Sequence, residues 1–185
     1  MYRTTEASSV ARTWKLAFTT IIGLIVAAFS LSFAPKCRAE EWKQWRGPNG
    51  DNHAATDADA PVRWDLERGE NVVWKTAIPG RGHSTPIVVG EHIFLTTAVA
   101  EDETQRLIKC NRSDGRMVDN WVIHRGTMPD RIHSNNSYAS PSAASDGQHV
   151  FVSFHTDDAI VVTSLNLDGK QNWQKKVADF RPSRF

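Results

Sequence analysis

Two stretches of this chain end alike, "CNRSDGRMVDNW" at residues 110–121 and "LNLDGKQNW" at residues 165–173. Each sets an Asp-Gly pair a few residues ahead of a tryptophan. Asp114 to Asp168 is a step of 54 residues and Trp121 to Trp173 a step of 52, while Trp74 lies 47 residues before Trp121. A period near fifty constrains the fold more than any other feature here, because a repeat of that length is one supersecondary unit stacked on its neighbours.

The residues between these markers form short β-rich runs. The first set is 71–77, 85–89, 92–98, 106–111 and 116–124; the second is 140–144, 149–155, 159–167 and 171–177. Most are rich in Val, Ile, Thr, Phe or Trp, and no helical pattern follows the N-terminal leader. Gly90-Glu91, Asp114-Gly115, Asp146-Gly147, Asp157-Asp158 and Asp168-Gly169 punctuate them as turns. Aligning "HSTPIVVGEHIFLTTA" with "YASPSAASDGQHVFVSFH" places Pro86 opposite Pro141 and Phe94 opposite Phe151. Four short strands per repeat predict an all-β fold, a partial β-propeller of about two four-stranded blades plus an extra strand around Trp74. A β-sandwich is the competing all-β arrangement. Bulky side chains on both faces of 92–98 and 149–155 and the Asp-Gly-to-Trp echo favour blades sandwiched between blades. In that arrangement the tryptophan after each turn docks on the adjacent blade, Trp173 more completely than Trp121, whose glycine lies six residues before it rather than four. The faces left open by two blades would carry Phe94, Phe151, Val152 and Phe154, which predicts self-association of residues 40–185.

Residues 1–39 form a separate segment. Arg3, Arg12 and Lys15 precede an uncharged run at 16–33, and "CRA" stands before Glu40. This order predicts a signal peptide and an exported protein, periplasmic or extracellular. The alternative is an uncleaved anchor at 16–33, the one way this chain would meet a membrane. Residues 40–70 read as an irregular N-terminal segment and 71–185 as incomplete blades. Of the 22 Lys and Arg, five lie in the leader with one of the 21 acidic residues, so residues 40–185 carry 17 basic against 20 acidic groups, net −3. That balance argues against a nucleic-acid partner. Cys110, in an apolar run, reads as a buried, inert thiol.

"DGKQNW" resembles the end of the PQQ-type propeller repeat: a strand, Gly-Lys, two residues, then Trp. "WKQWRGPNG" (42–50), residues 71–98 and residues 133–154 are similar to exported bacterial PQQ-like β-propeller proteins. That superfamily includes the quinoprotein alcohol dehydrogenases and the propeller lipoprotein of outer-membrane protein assembly. The resemblance implies pyrrolo-quinoline quinone (PQQ) only where a closed ring, a calcium site and paired cysteines hold it. This sequence shows neither the cysteine pair nor an assignable calcium set, so no cofactor is expected for this chain alone. It reads like the front part of a longer propeller.

His83 in "GRGHSTP" and His133 in "RIHSNNSYASP" stand at comparable places before the first strand of each blade, where propeller loops line the axial mouth. They are candidate loop binding positions for a metal or small polar group. Imidazoles that satisfy loop backbone groups are the plainer reading. Asp157 and Asp158 lack the spacing of a calcium loop, and "GHS" lacks a nucleophile elbow, so no catalytic set is expected. Three functions stay open: an exported, non-catalytic binding or scaffold module whose partners are other proteins or missing blades, a fragment of a PQQ-dependent dehydrogenase, and a non-functional truncated product.

Overall fold

The computed structural model describes residues 41–54, 61–126, 128–129 and 132–181. The signal peptide and cleavage point expected from the sequence, and the anchor alternative, lie outside these residues. No helix among the described residues is long and apolar enough to cross a membrane.

Among the described residues, eight strands form two antiparallel four-stranded sheets. Blade one is β1 (Ile87–Val89), β2 (His92–Val99), β3 (Thr104–Asn111) and β4 (Met117–Arg125), hydrogen-bonded in that order. Blade two repeats it with β5 (Ala144–Ser145), β6 (His149–Thr156), β7 (Ala159–Asn166) and β8 (Gln171–Asp179). The sequence alignment of Phe94 with Phe151 is also the ladder alignment. Phe94 pairs with Ile87 and Lys109, and Phe151 pairs with Ala144 and Ser164. Both outer strands carry two register shifts, and in each blade these lie between corresponding residues of the third strand. Such bulges bend and twist the strand that carries them.

The turns form where the sequence allows a left-handed backbone. β6 and β7 join through Asp157 and Asp158 alone, both at positive φ (48° and 55°), the backbone of a tight two-residue hairpin. Arg181 Nε sits 3.0 Å from the Asp158 carboxylate. These two aspartates therefore make a turn.

Period-two alternation decides which side chains meet between the blades. On blade one, Phe94, Lys109 and Asp119 make one cross-strand row and Thr96, Leu107 and Trp121 the next. On blade two, the buried row is Val150, Val152 and Phe154. Phe94, Leu107, Val150 and Phe154 are all fully buried in one apolar cluster. Each such side chain stabilises the seam by about 1.5–3 kcal/mol. Phe94, Val152 and Phe154 are therefore not on open faces, as the sequence suggested; they line the seam. Phe151 alone of that set lies on the alternate face of blade two, half-buried beside Trp173 at 6.2 Å between ring centroids.

Two segments before β1 also differ from a simple reading of the runs. Residues 71–77 form no ladder among the described residues, although their burial alternates as a strand's does, with Val72, Trp74 and Thr76 turned inward. Residues 42 and 43 run along both innermost strands. Trp42 exchanges backbone hydrogen bonds with Val88 in β1, and the Lys43 carbonyl accepts from the Ser145 N–H in β5. The "WKQW" stretch thus ties the inner edges of the two blades together.

Candidate functional site

A tryptophan seated on a glycine turn occurs twice, once between residues 71–77 and blade one and once where the two blades meet. In blade one the turn between β3 and β4 holds Gly115 at φ +70°, and in blade two the turn between β7 and β8 holds Gly169 at φ +86°. A Cβ on Gly115 would collide with the Trp74 ring, and one on Gly169 would collide with the Trp121 ring. Glycine is needed twice over, for the positive φ and for the close approach of the indole. The turn carbonyls match as well. The Arg112 carbonyl accepts from the Trp74 Nε1–H at 2.9 Å, and the Leu167 carbonyl, at the corresponding turn position, accepts from Lys109 Nζ at 2.9 Å. Thr76 adds a 2.6 Å hydrogen bond to the Gly115 carbonyl.

This geometry reverses the sequence reading of the two later tryptophans. Trp121 is half-buried and packed against the core cluster, whereas Trp173 is 40% exposed. Trp173 needs a glycine turn to sit on, and no such turn covers it among the described residues. The six-residue spacing also has a structural cause. Asp119 occupies the ladder position that Trp173 takes in blade two, so Trp121 lies two residues further along. Two residues preserve the face, and the indole still reaches Gly169.

Polar groups along the seam are spent on the neighbouring backbone. Lys109, almost fully buried, has Asp119 at 3.7 Å and the Trp121 ring at 5.7 Å. Thr96 Oγ1 donates to the Pro141 carbonyl at 3.0 Å, and the Thr85 N–H donates to Ser142 Oγ at 2.8 Å. Gln105 Nε2 donates to the carbonyls of Tyr138 and His155, at 2.9 and 3.0 Å. Its ladder partner is His124, whose ring meets Phe154 edge-on at 5.8 Å. Gln105 Oε1 and His124 Nε2 are both buried without a hydrogen-bond partner. Burial pushes the His124 pKa down, against the opposing field of Asp157. Cys110 is buried, and that burial pushes its thiol up. Sequence reasoning missed Lys109 and Gln105; the available signal was a charged and an amide side chain inside a strand that is otherwise largely buried.

His83 and His133 both lie exposed in the loops that precede β1 and β5. The His83 N–H donates to the Ala139 carbonyl at 3.1 Å. His133 Nδ1 accepts from the Asn135 N–H at 3.2 Å, and its carbonyl accepts from Asn136. The His133 imidazole thus serves its own loop, and no hydrogen bond joins it to His83. Among the described residues no group of three His, Cys, Asp or Glu is arranged to hold a metal.

Surface apolar groups gather on the segment before blade one. Val62, Trp64, Leu66 and Val73 are exposed, Val62 and Val73 at 91% and 87%. They flank a short turn closed by the Asp65–Glu70 bridge. An open hollow of about 410 Å3 there is lined by Pro61, Trp64, Asn71, Val72, Val73 and Trp74.

A family model of PQQ-type repeats, described as "Outer membrane protein assembly factor BamB", matches residues 11–184. The chain belongs to this family. Membership and geometry agree on a PQQ-like β-propeller unit, and at a coarse level the family points to protein–protein interaction. No curated protein matches the chain.

Proposed function

We propose that this PQQ-like chain is an exported, non-catalytic module that binds other proteins, as a family described by outer-membrane protein assembly would suggest. The observation that carries the reading is the apolar surface at residues 62–73. Exposed patches of this kind, rimmed by charge, mark interaction sites, and here Arg63, Asp65, Glu67, Arg68 and Glu70 supply the rim. The seam supports it from the other side, because Lys109, Thr96, Ser142 and the Gln105 amide N–H are committed to holding the blades together. Export rests on the order of the leader, with processing before Glu40.

Site-specific photocrosslinking at Trp64 in cells tests the reading. Discrete protein adducts are expected, and Val62→Asp with Leu66→Asp should abolish them; adducts that survive both substitutions, or none at all, would count against a binding surface here. N-terminal sequencing of the same material should begin at or near Glu40. Titration of the purified protein with PQQ and calcium should give no saturable change in cofactor absorbance, and stoichiometric binding would support a dehydrogenase instead.

A further inference from the structure

We infer that the outward face of blade two, centred on Trp173, docks on the Gly115 turn of a second copy of this chain, displacing that copy's residues 71–77. The reasoning starts from a seam used twice within the molecule. Trp74 sits on the Gly115 turn, and Trp121 sits on the Gly169 turn. Trp173 is the third tryptophan at nearly the same step, on the corresponding strand and face, and it is 40% exposed. All nine residues of β8 are exposed. The outward face of blade two thus repeats the face that blade one turns toward blade two, and it continues that interface by one step.

The receiving surface is present in the same chain. The Gly115 turn already holds an indole, with the Arg112 carbonyl accepting its N–H. Among the described residues its occupant, 71–77, pairs with no strand, so it is held by Trp74, Thr76 and their packing rather than by a sheet. The blade-one residues that correspond to buried Val150 and Val152 are Ile93 and Leu95, and both remain half-buried. Residues 71–77 therefore cover this face less completely than blade one covers blade two. β8 of another copy brings a full strand and the blade behind it. The contact is head-to-tail, the same two unlike surfaces meeting in every pair, so copies add in sequence and a ring forms if the rotation closes. This inference is independent of the apolar surface at 62–73 and fails or succeeds separately from it.

Sedimentation velocity on the full chain over a micromolar concentration series tests it. The wild type should associate with increasing concentration. Trp173→Ala, at an exposed position, should weaken association at least about tenfold, as for a tryptophan at the centre of an interface. Thr76→Val, which removes the hydroxyl that holds residues 71–77 to Gly115, should shift association to lower concentration. Circular dichroism spectra matching the wild type show that both variants are folded. A wild type that stays monomeric, a Trp173→Ala variant that associates like the wild type, or a Thr76→Val variant that associates no better would each overturn the inference.

Discussion

Trp121 and Trp173 carry the same letter in nearly the same motif, and their surroundings give them different worth. Trp121 packs on Gly169 beside Leu167 and is part of the seam, while Trp173 leans on Phe151 at the surface. Trp121→Ala removes a half-buried aromatic from a packed interface and should destabilise by about 3 kcal/mol. Trp173→Ala in the monomer should cost below about 1 kcal/mol, as for surface substitutions. Equilibrium denaturation of both variants at low protein concentration checks the order. Equal losses would show that the indole is stabilised within its own blade and that the glycine turn is incidental. The motif itself could not distinguish the two residues, because the glycine that receives Trp121, Gly169, lies 48 residues further along the chain.

Strands and turns were largely legible in the sequence. The β-rich runs and Asp-Gly pairs recovered seven of the eight described strands to within two residues, the run at 140–144 meets β5 only at Ala144, and the Phe94–Phe151 alignment anticipated the ladder register. Legibility failed where a partner from outside the run decides the outcome. Residues 71–77 have strand-like residues and alternate burial, yet no strand pairs with them among the described residues. Phe94, Val152 and Phe154 line the seam rather than open faces, and composition does not tell which side of a strand meets the next blade. The residues that join β3 to blade two, Lys109 and Gln105, are not distinguishable within or beside an apolar run, because the carbonyls they reach lie 33 to 58 residues further along. Lys109 yields the prediction for this scale. Replacing it by Ala removes the donor to Leu167, leaves Asp119 without its cation, and empties space under Trp121. The loss should be about 2–3 kcal/mol, read by denaturant unfolding. Lys109→Met, which keeps the stem, should recover part of it. A neutral Lys109→Ala would mean that β3 does not tie the blades together.

At the scale of the molecule, two blades share one apolar cluster, and residues 42 and 43 bridge their inner strands. Neither sheet alone buries Phe94 and Phe154 together with Leu107 and Val150, so the blades should open as one cooperative unit rather than in turn. Repeat arrays owe their stability to such neighbour interfaces. The most direct measurement is native-state hydrogen exchange of amides in β3 and β6, compared between the wild type and Trp121→Ala. Protection should fall together in both strands, by about the same free energy as the global loss, because one seam stabilises both blades. Protection lost in β3 while β6 keeps its wild-type value would contradict the account, since each blade would then stand on its own core and the tryptophan-on-glycine seam would not hold the fold together.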